Sequence, residues 1–555
     1  MMPLPWEPRF WPGKKVQENE QIMMPGKVKK PSAGKRNREK SSSAGEDPQN
    51  FISMATIDVG AHSARLLVAQ VHKKSRQFTV LEELEHPVPL GADVFREGSI
   101  RDESIHLLCS ILLNFREKMD EYSVVHYKAI ATSAVREARN GDIFLERIRH
   151  VTGIGIELFS GTDEARLDYK AVADGITERS GFSGTRALIA DIGTGACQVS
   201  AFDHGKLCFT ETLKVGTLRA LEQIHGTYNA GTLNYYTALS IDRIFGELQV
   251  LAENLKSTLI IAMGSSARVL LRLFPGKQTG ANGPVCITRE EFFLLRSGLS
   301  DMSYEQICEK YQLIPDLAEM VQVCCMILDN LLHLTEAHQI LIPMVSTKTL
   351  LLMDFIERTF ALPDHFEEQM ENLIIRTAAR YHCDDDYGKR TAAFAGALFE
   401  KLAFLHGLGH REELLLRISA RLHKCGLFIN NQAYHKHSAY IIANTEIPGI
   451  SVRERSIASL VVRYHRKGPP KNLHQEYITL PVQDREVVHK LSALLRIACA
   501  LAHLAPCPES LAVKTGEDGS VILVLGDNVS YFPESVAEVD RSYFRNVFAC
   551  RILFA

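Results

Sequence analysis

Two segments of this 555-residue chain share a pattern that can hold phosphate. In FISMATIDVG an apolar run ends in Asp58 and Gly60, and a second apolar run, ARLLVAQVHK, follows a tight turn. In RALIADIGTG another run ends in Asp191 and Gly193, and an outgoing run again follows. Aligning the two aspartates also aligns Ile57 with Ala190. One strand–turn–strand device used twice predicts duplicated halves. A third loop follows the run LIIAMG, where Gly264 and Ser265 open a helix-like segment to Arg268. Such loops expose backbone N–H groups, the donors that phosphate oxygens need. Gly60, Gly193 and Gly195 let the main chain come close to those oxygens.

The elements around these turns follow from periodicity. Residues 103–122 carry Ile105, Leu108, Ile111, Leu112, Phe115 and Met119 at helical spacing. VVHYKAIATSAV reads as a strand running into a loop, FLERIRHVTGI as a helix and GIELFSG as a strand. Helical patterns dominate from residue 359, at 366–380, 388–406, 412–424, 435–444, 451–465 and 484–503. SVILVLG restores strand character near the end. The expected organisation is a disordered basic tail over 1–50, two α/β halves over 51–182 and 183–358, an all-α domain over 359–505, and a small α/β domain over 506–555.

Composition narrows the classes. With 46% hydrophobic residues the chain can bury large cores without staples. A net charge of −3 argues against bulk nucleic-acid binding. The 12 cysteines form no C-x-x-C pair, so no zinc ribbon is expected, and their dispersal reads as a reduced, cytoplasmic chain. No apolar run of membrane-spanning length is present, so no membrane association is expected.

Six collinear segments resemble the exopolyphosphatase/guanosine pentaphosphate phosphohydrolase (Ppx/GppA phosphatase) family. DVGAHSAR (58–65) resembles its first phosphate loop, ATSAVREARN (131–140) its A-T-S-A-x-R segment, and GIELFSGTDEARLDY (155–169) its E-E-A-R motif. DIGTGACQ (191–198), VGTLR (215–219) and MGSSAR (263–268) resemble three further loops. YHKHSAYIIANTEIPGIS and RYHRKGPP are similar to its helical, HD-like domain. The resemblance implies duplicated actin-like (ribonuclease H-like) ATPase-type domains, then the HD-like domain and the small α/β domain. It implies hydrolysis of terminal phosphoanhydride bonds in inorganic polyphosphate or guanosine pentaphosphate. By position, Glu164 would be the general base, and Asp58 and Asp191 would hold Mg²⁺ through water. Gly60, Ser63, Gly193, Thr194, Gly195, Gly264 and Ser265 would cradle phosphate, with Arg65, Arg136, Arg166 and Arg268 as bidentate donors. His62 is either a turn residue or a phosphate donor. The helical domain would extend the anion channel and offer a homodimer contact.

The chain departs from the family pattern in places that matter. Ala61–His62 replace Ser–Asn, Thr194 replaces Gly, Ala196–Cys197 replace Ser–Thr, and Gln198 replaces a Glu of the catalytic site. An amide cannot ionise, so it holds Mg²⁺ less well. Ser265–Ser266 replace glycine–glycine, and PDLAEM (315–320) brings Glu319 where R-A-D is usual. In the helical part, Tyr387, His423–Lys424 and Cys499 stand where HD domains place metal ligands, so no metal centre is expected there. His435, His437 and His465 read as packing or phosphate-contacting groups. Three functions remain: a Mg²⁺-dependent hydrolase, a catalytically impaired sensor of the same ligands, and an actin-like sugar or acetate kinase.

Overall fold

The computed structural model describes residues 50–554 apart from 176–181, 223–236, 247, 249–255, 278–282, 301, 303, 361, 363–365, 384–385, 505–507, 509–510 and 525–533. The tail expected over 1–50 lies outside the described residues except for Asn50.

The first sheet contains β1 (Phe51–Val59), β2 (Ser63–His72), β3 (Phe78–Pro87), β4 (His126–Ala131) and β5 (Glu157–Leu158), in the order β3-β2-β1-β4-β5. β1, β2 and β3 form an antiparallel meander, while β4 lies parallel to β1 and β5 parallel to β4. Met54 to Val59 are buried without alternation, as expected for a central strand covered on both faces. The strand expected at GIELFSG shortens to Glu157–Leu158, whose two side chains are both exposed at the sheet edge.

The second sheet repeats this plan. β6 (Arg186–Ile192), β7 (Cys197–Asp203), β8 (Lys206–Leu213), β9 (Leu259–Met263), β10 (Val285–Thr288) and β11 (Gln339–Ile342) run in the order β10-β11-β9-β6-β7-β8. β6–β7–β8 is again an antiparallel meander, with β9 parallel to β6 and β11 parallel to β9. Even the register shift recurs, at Val68/Ala69 between β2 and β3 and at Ala201/Phe202 between β7 and β8. β10 is an antiparallel addition at the edge.

Helices Glu367–Arg380, Asp386–Lys401, His410–Leu422, Tyr434–Ala443, Val452–Tyr464 and Val482–Leu504 form the following layer. It does not have a core of its own: Ile189, Phe202 and Ile261 of the second sheet share one core with Phe366, Met370, Leu373, Phe394, Leu415 and Leu494. A three-stranded sheet, β12 (Ala512–Thr515), β13 (Val521–Val524) and β14 (Ile552–Phe554), ends the chain with the helix Glu534–Phe548. Among the described residues no single helix is long and apolar enough to cross a membrane.

The helix Thr347–Thr359 crosses back. It starts at Ser346, whose hydroxyl caps the Thr349 N–H at 3.3 Å. Its Leu352 and Ile356 pack on Met54, Leu67, Ala69 and Val71 of the first sheet. Residues the sequence grouped with the second half therefore cover the first.

Candidate active site

The two Asp-x-Gly turns face one cleft and have one geometry. Gly60 N–H donates to Ser63 O at 2.9 Å, and Gly193 N–H donates to Ala196 O at 3.0 Å. The segment after β8 braces the second turn: Thr217 N–H donates to Gly193 O at 3.1 Å and Leu218 N–H to Thr194 O at 3.0 Å. Arg219, nearly buried, ties Gly195 O (2.5 Å) to Glu137 (2.6 Å) with its guanidinium over Phe95. A Cβ at Gly195 would lie 2.2 Å from Ser133 Oγ, so the first half presses directly on this loop.

The cleft is lined by Asp58, Gly60, His62, Ser63, Arg65, Glu164, Asp191, Gly193, Thr194, Gly195, Gly264, Ser265 and Arg268. Two expected phosphate contacts do not line it. Arg136 stands behind Glu164, 3.6 Å from its carboxylate, and also donates to Phe159 O. Arg166 is a correction to the phosphate-gripping expectation. It is 1% exposed and pairs with buried Asp354 at 2.5 Å, on the other side of its helix.

The carboxylates at the cleft differ in setting. Asp58 is cross-strand from Arg65, which reaches it at 3.2 Å and reaches Glu85 at 2.8 Å. Burial raises Asp58 above the usual carboxylate range, against the pull of Arg65. Asp191 holds the equivalent place in the second sheet, but its cross-strand neighbour is Gln198. The Gln198 amide is turned into a buried ladder instead, donating to Thr210 Oγ at 2.6 Å and accepting from Thr212 Oγ at 2.6 Å. Thr212 also reaches Glu446 of the helical layer at 3.0 Å. Asp191 Oδ1 is left buried with no hydrogen-bond partner. Burial pushes Asp191 up to about 6, with Arg268 opposing and Asp58 adding. Glu164, in the first turn of the helix Gly161–Gly175, is pushed up to about 7 by burial, with Arg136 opposing and Asp191 and Asp58 adding.

Thr132 and Ser133, within the ATSAVREARN segment but given no role there, also line the cleft, and Glu85, Ser346, Thr347 and Lys348 escaped the sequence reading. The last three lie far downstream and arrive only because the returning helix starts at the cleft. Their local signal was a Ser N-cap before Thr–Lys–Thr, which marks a helix start but not its destination.

Gly264 shows how tightly the third loop is set. It sits at φ +94°, and a Cβ there would lie 2.5 Å from Ile192 O and 2.6 Å from Asp191 Oδ1. Gly264→Ala is expected to lower the unfolding free energy by roughly 1–3 kcal/mol in urea titration, through strain in the left-handed region. A variant as stable as the wild type would show that this loop relaxes freely.

A pair of repeated α/β sheets with matched Asp-x-Gly turns over one cleft defines a two-lobed α/β protein. The chain belongs to the Ppx/GppA phosphatase family: the family model matches residues 67–334, and the model of Ppx/GppA phosphatase domain III matches 371–512. It is similar to the guanosine-5'-triphosphate,3'-diphosphate pyrophosphatase of Vibrio campbellii, 25% identical over 483 residues, covering 84% of this chain and 90% of that one. The protein of that name from Pseudoalteromonas translucida is 26% identical over 473 residues, covering 82% and 88%. Among solved structures, an exopolyphosphatase from Cytophaga hutchinsonii matches with TM-score 0.49 and 20% identity, over 56% of this chain and 99% of that one. The Aquifex aeolicus family member matches with TM-score 0.47 and 20% identity, over the same shares.

Proposed function

We propose that the protein hydrolyses terminal phosphoanhydride bonds of inorganic polyphosphate or guanosine pentaphosphate in this cleft, with Glu164 as the base. The observation that carries the reading is the convergence of both glycine turns and Glu164 on one lined space. Phosphoryl transfer asks mainly for positioning and charge neutralisation, and backbone donors with Arg65 and Arg268 can supply both. The curated relatives' name, which specifies guanosine-5'-triphosphate,3'-diphosphate, supports the guanosine polyphosphate as a substrate.

In the mechanism we infer, the terminal phosphate lies against the N–H groups of 60–63 and 193–196. Glu164 takes a proton from water as the water oxygen bonds to the terminal phosphorus. The bridging P–O bond breaks, its electron pair stays on the shortened chain, and orthophosphate leaves. Arg136 holds the Glu164 carboxylate in place. The residues present suit Mg²⁺: Asp191 offers a buried oxygen with no hydrogen-bond partner, and Asp58 faces the same cleft. No group of three or more His, Cys, Asp or Glu is placed to enclose a metal among the described residues. Mg²⁺ keeps most of its water and takes one or two carboxylates, so Asp58 and Asp191 would be enough to hold it. Bound there, Mg²⁺ would offset phosphate charge. In the same reading the two sheets are actin-like lobes and the helical layer is HD-like.

A second reading, a phosphate-chain sensor without turnover, is favoured by one observation. Gln198 neither ionises nor faces the cleft, so the second turn brings only Asp191. The two are separated by orthophosphate release from long-chain polyphosphate and from guanosine pentaphosphate, with Mg²⁺. Release from either substrate is expected. Saturable polyphosphate binding with no release would sink the hydrolase and leave the sensor.

A further inference from the structure

A cavity of about 480 Å³ lies between the helical layer and the helix Glu534–Phe548, and it shares no lining residue with the cleft. The helices Gln475–Ile478 and Val482–Leu504 supply one wall and Glu534–Phe548 the other. That volume falls in the range of small-molecule sites. Pro469, Val482 and Val547 give it an apolar side, each from a different segment.

The polar side is a relay. His489 lies between two tyrosines: Tyr477 Oη is 2.8 Å from its Nε2, and Tyr543 Oη is 2.9 Å from its Nδ1. Both tyrosines are buried and both line the cavity. Burial holds the His489 ring below its ordinary pKa, so near neutral pH it has one N–H donor and one acceptor nitrogen. One tyrosine therefore donates to the ring and the other accepts from it. The accepting tyrosine keeps its own O–H proton, and no acceptor among the described residues takes it. Either tautomer of the ring leaves one such O–H, and a buried donor is costly to leave unmet.

The charges on the lining narrow what can meet it. Lys490 pairs with Glu486 at 2.7 Å and donates to His406 O at 2.8 Å, so these two charges offset each other. Arg485 is then the one uncompensated charge on the lining. Its Nε donates to Leu480 O at 3.0 Å, and its guanidinium stands 5.9 Å from the centre of the Tyr477 ring. Among the described residues its terminal nitrogens have no acceptor, which leaves a planar fork of donors beside the relay.

We propose that this cavity binds a small organic monocarboxylate with an apolar, ring-sized body. The carboxylate accepts from the Arg485 fork and from the spare tyrosine O–H, and the body lies against Pro469, Val482 and Val547. One charge meets one charge. A phosphate group fits worse, because its larger and more strongly hydrated charge would face a single free cation with the Glu486 carboxylate nearby.

The test is saturation-transfer NMR on the full chain with phenylacetate as the probe. Transfer to its ring protons is expected, with a dissociation constant on the order of millimolar for a ligand of about ten non-hydrogen atoms. Phenylacetamide keeps the body without the charge, and acetate keeps the charge without the body. Each should bind at least about tenfold more weakly than phenylacetate, since either loses one half of the recognition. Arg485→Gln should weaken phenylacetate by a similar factor. Asn546→Trp, a change at an exposed position on the rim, should fill the cavity and abolish the transfer. Excess orthophosphate should not displace the probe. No transfer from phenylacetate, transfer undiminished by either substitution, equal binding of phenylacetamide, or displacement by orthophosphate would each overturn the proposal.

Discussion

Glu164→Gln is expected to lower kcat for orthophosphate release by a factor of about 10²–10⁴, with KM little changed, the usual range for loss of a positioned general base. The amide keeps the shape of the side chain and removes its ability to accept a proton. The pH profile gives a second readout. A base raised to about 7 in the free protein is ionised only above that pH, so wild-type kcat/KM should climb through neutrality and level off. The residual activity of the variant should lack that limb. Stability should move the other way. The folded state holds a proton on Glu164 between the ordinary glutamate range and about 7, so the wild type loses stability as pH rises through that window. Glu164→Gln cannot show that loss and should melt higher than the wild type at pH 8. A variant with full kcat would move the base elsewhere.

Arg166→Met should be the most destabilising single change, by about 3–5 kcal/mol in urea titration. The cost comes from what is left behind. Asp354 is 2% exposed; burial raises its pKa, but Arg166, Arg358 and Lys170 together hold it below the ordinary range. Without Arg166, Arg358 at 3.0 Å and Lys170 at 3.7 Å remain, but Arg358 is half-exposed and Lys170 is shared with Glu357. Arg166→Met with Asp354→Leu should recover most of the loss, because a packed apolar pair carries no desolvation penalty. If the double variant were no better than the single one, the ion pair would not be the source of the cost. Acid should mimic the single variant in part, since stability drawn from a depressed carboxylate fades as pH falls through its folded pKa.

Most of the frame was legible because it is local. The Asp58 and Asp191 turns announced a repeat, and both sheets carry the same meander with a parallel neighbour. Helices such as Asp102–Glu121 and Glu367–Arg380 fall within a residue or two of the periodicity, since each buries a single apolar stripe. The misreadings came from direction and distance. Arg166 shares a motif with Glu164, but residues two apart on a helix face opposite ways, so the motif supplies one group to the cleft and one to the core. Gln198 matches a loop position, yet the hydroxyls of Thr210 and Thr212, on a strand the loop pattern does not include, decide where its amide points. Lys348 lines the cleft because the chain returns there, and a linear pattern carries no trace of that return.

That return also sets a schedule for synthesis. The face of the first sheet formed by Met54, Leu67, Ala69 and Val71 is covered by Leu352 and Ile356, about 280 residues downstream. At about 5–20 residues per second, the ribosome takes roughly 15–55 s to deliver that cover. During this interval the amino-terminal lobe is a finished sheet with one oily side open, and a polypeptide released before residue 347 never acquires its lid. The nascent chain therefore depends on being shielded while it waits, and cutting the gene between the two lobes should yield an amino-terminal fragment that aggregates rather than a half-enzyme.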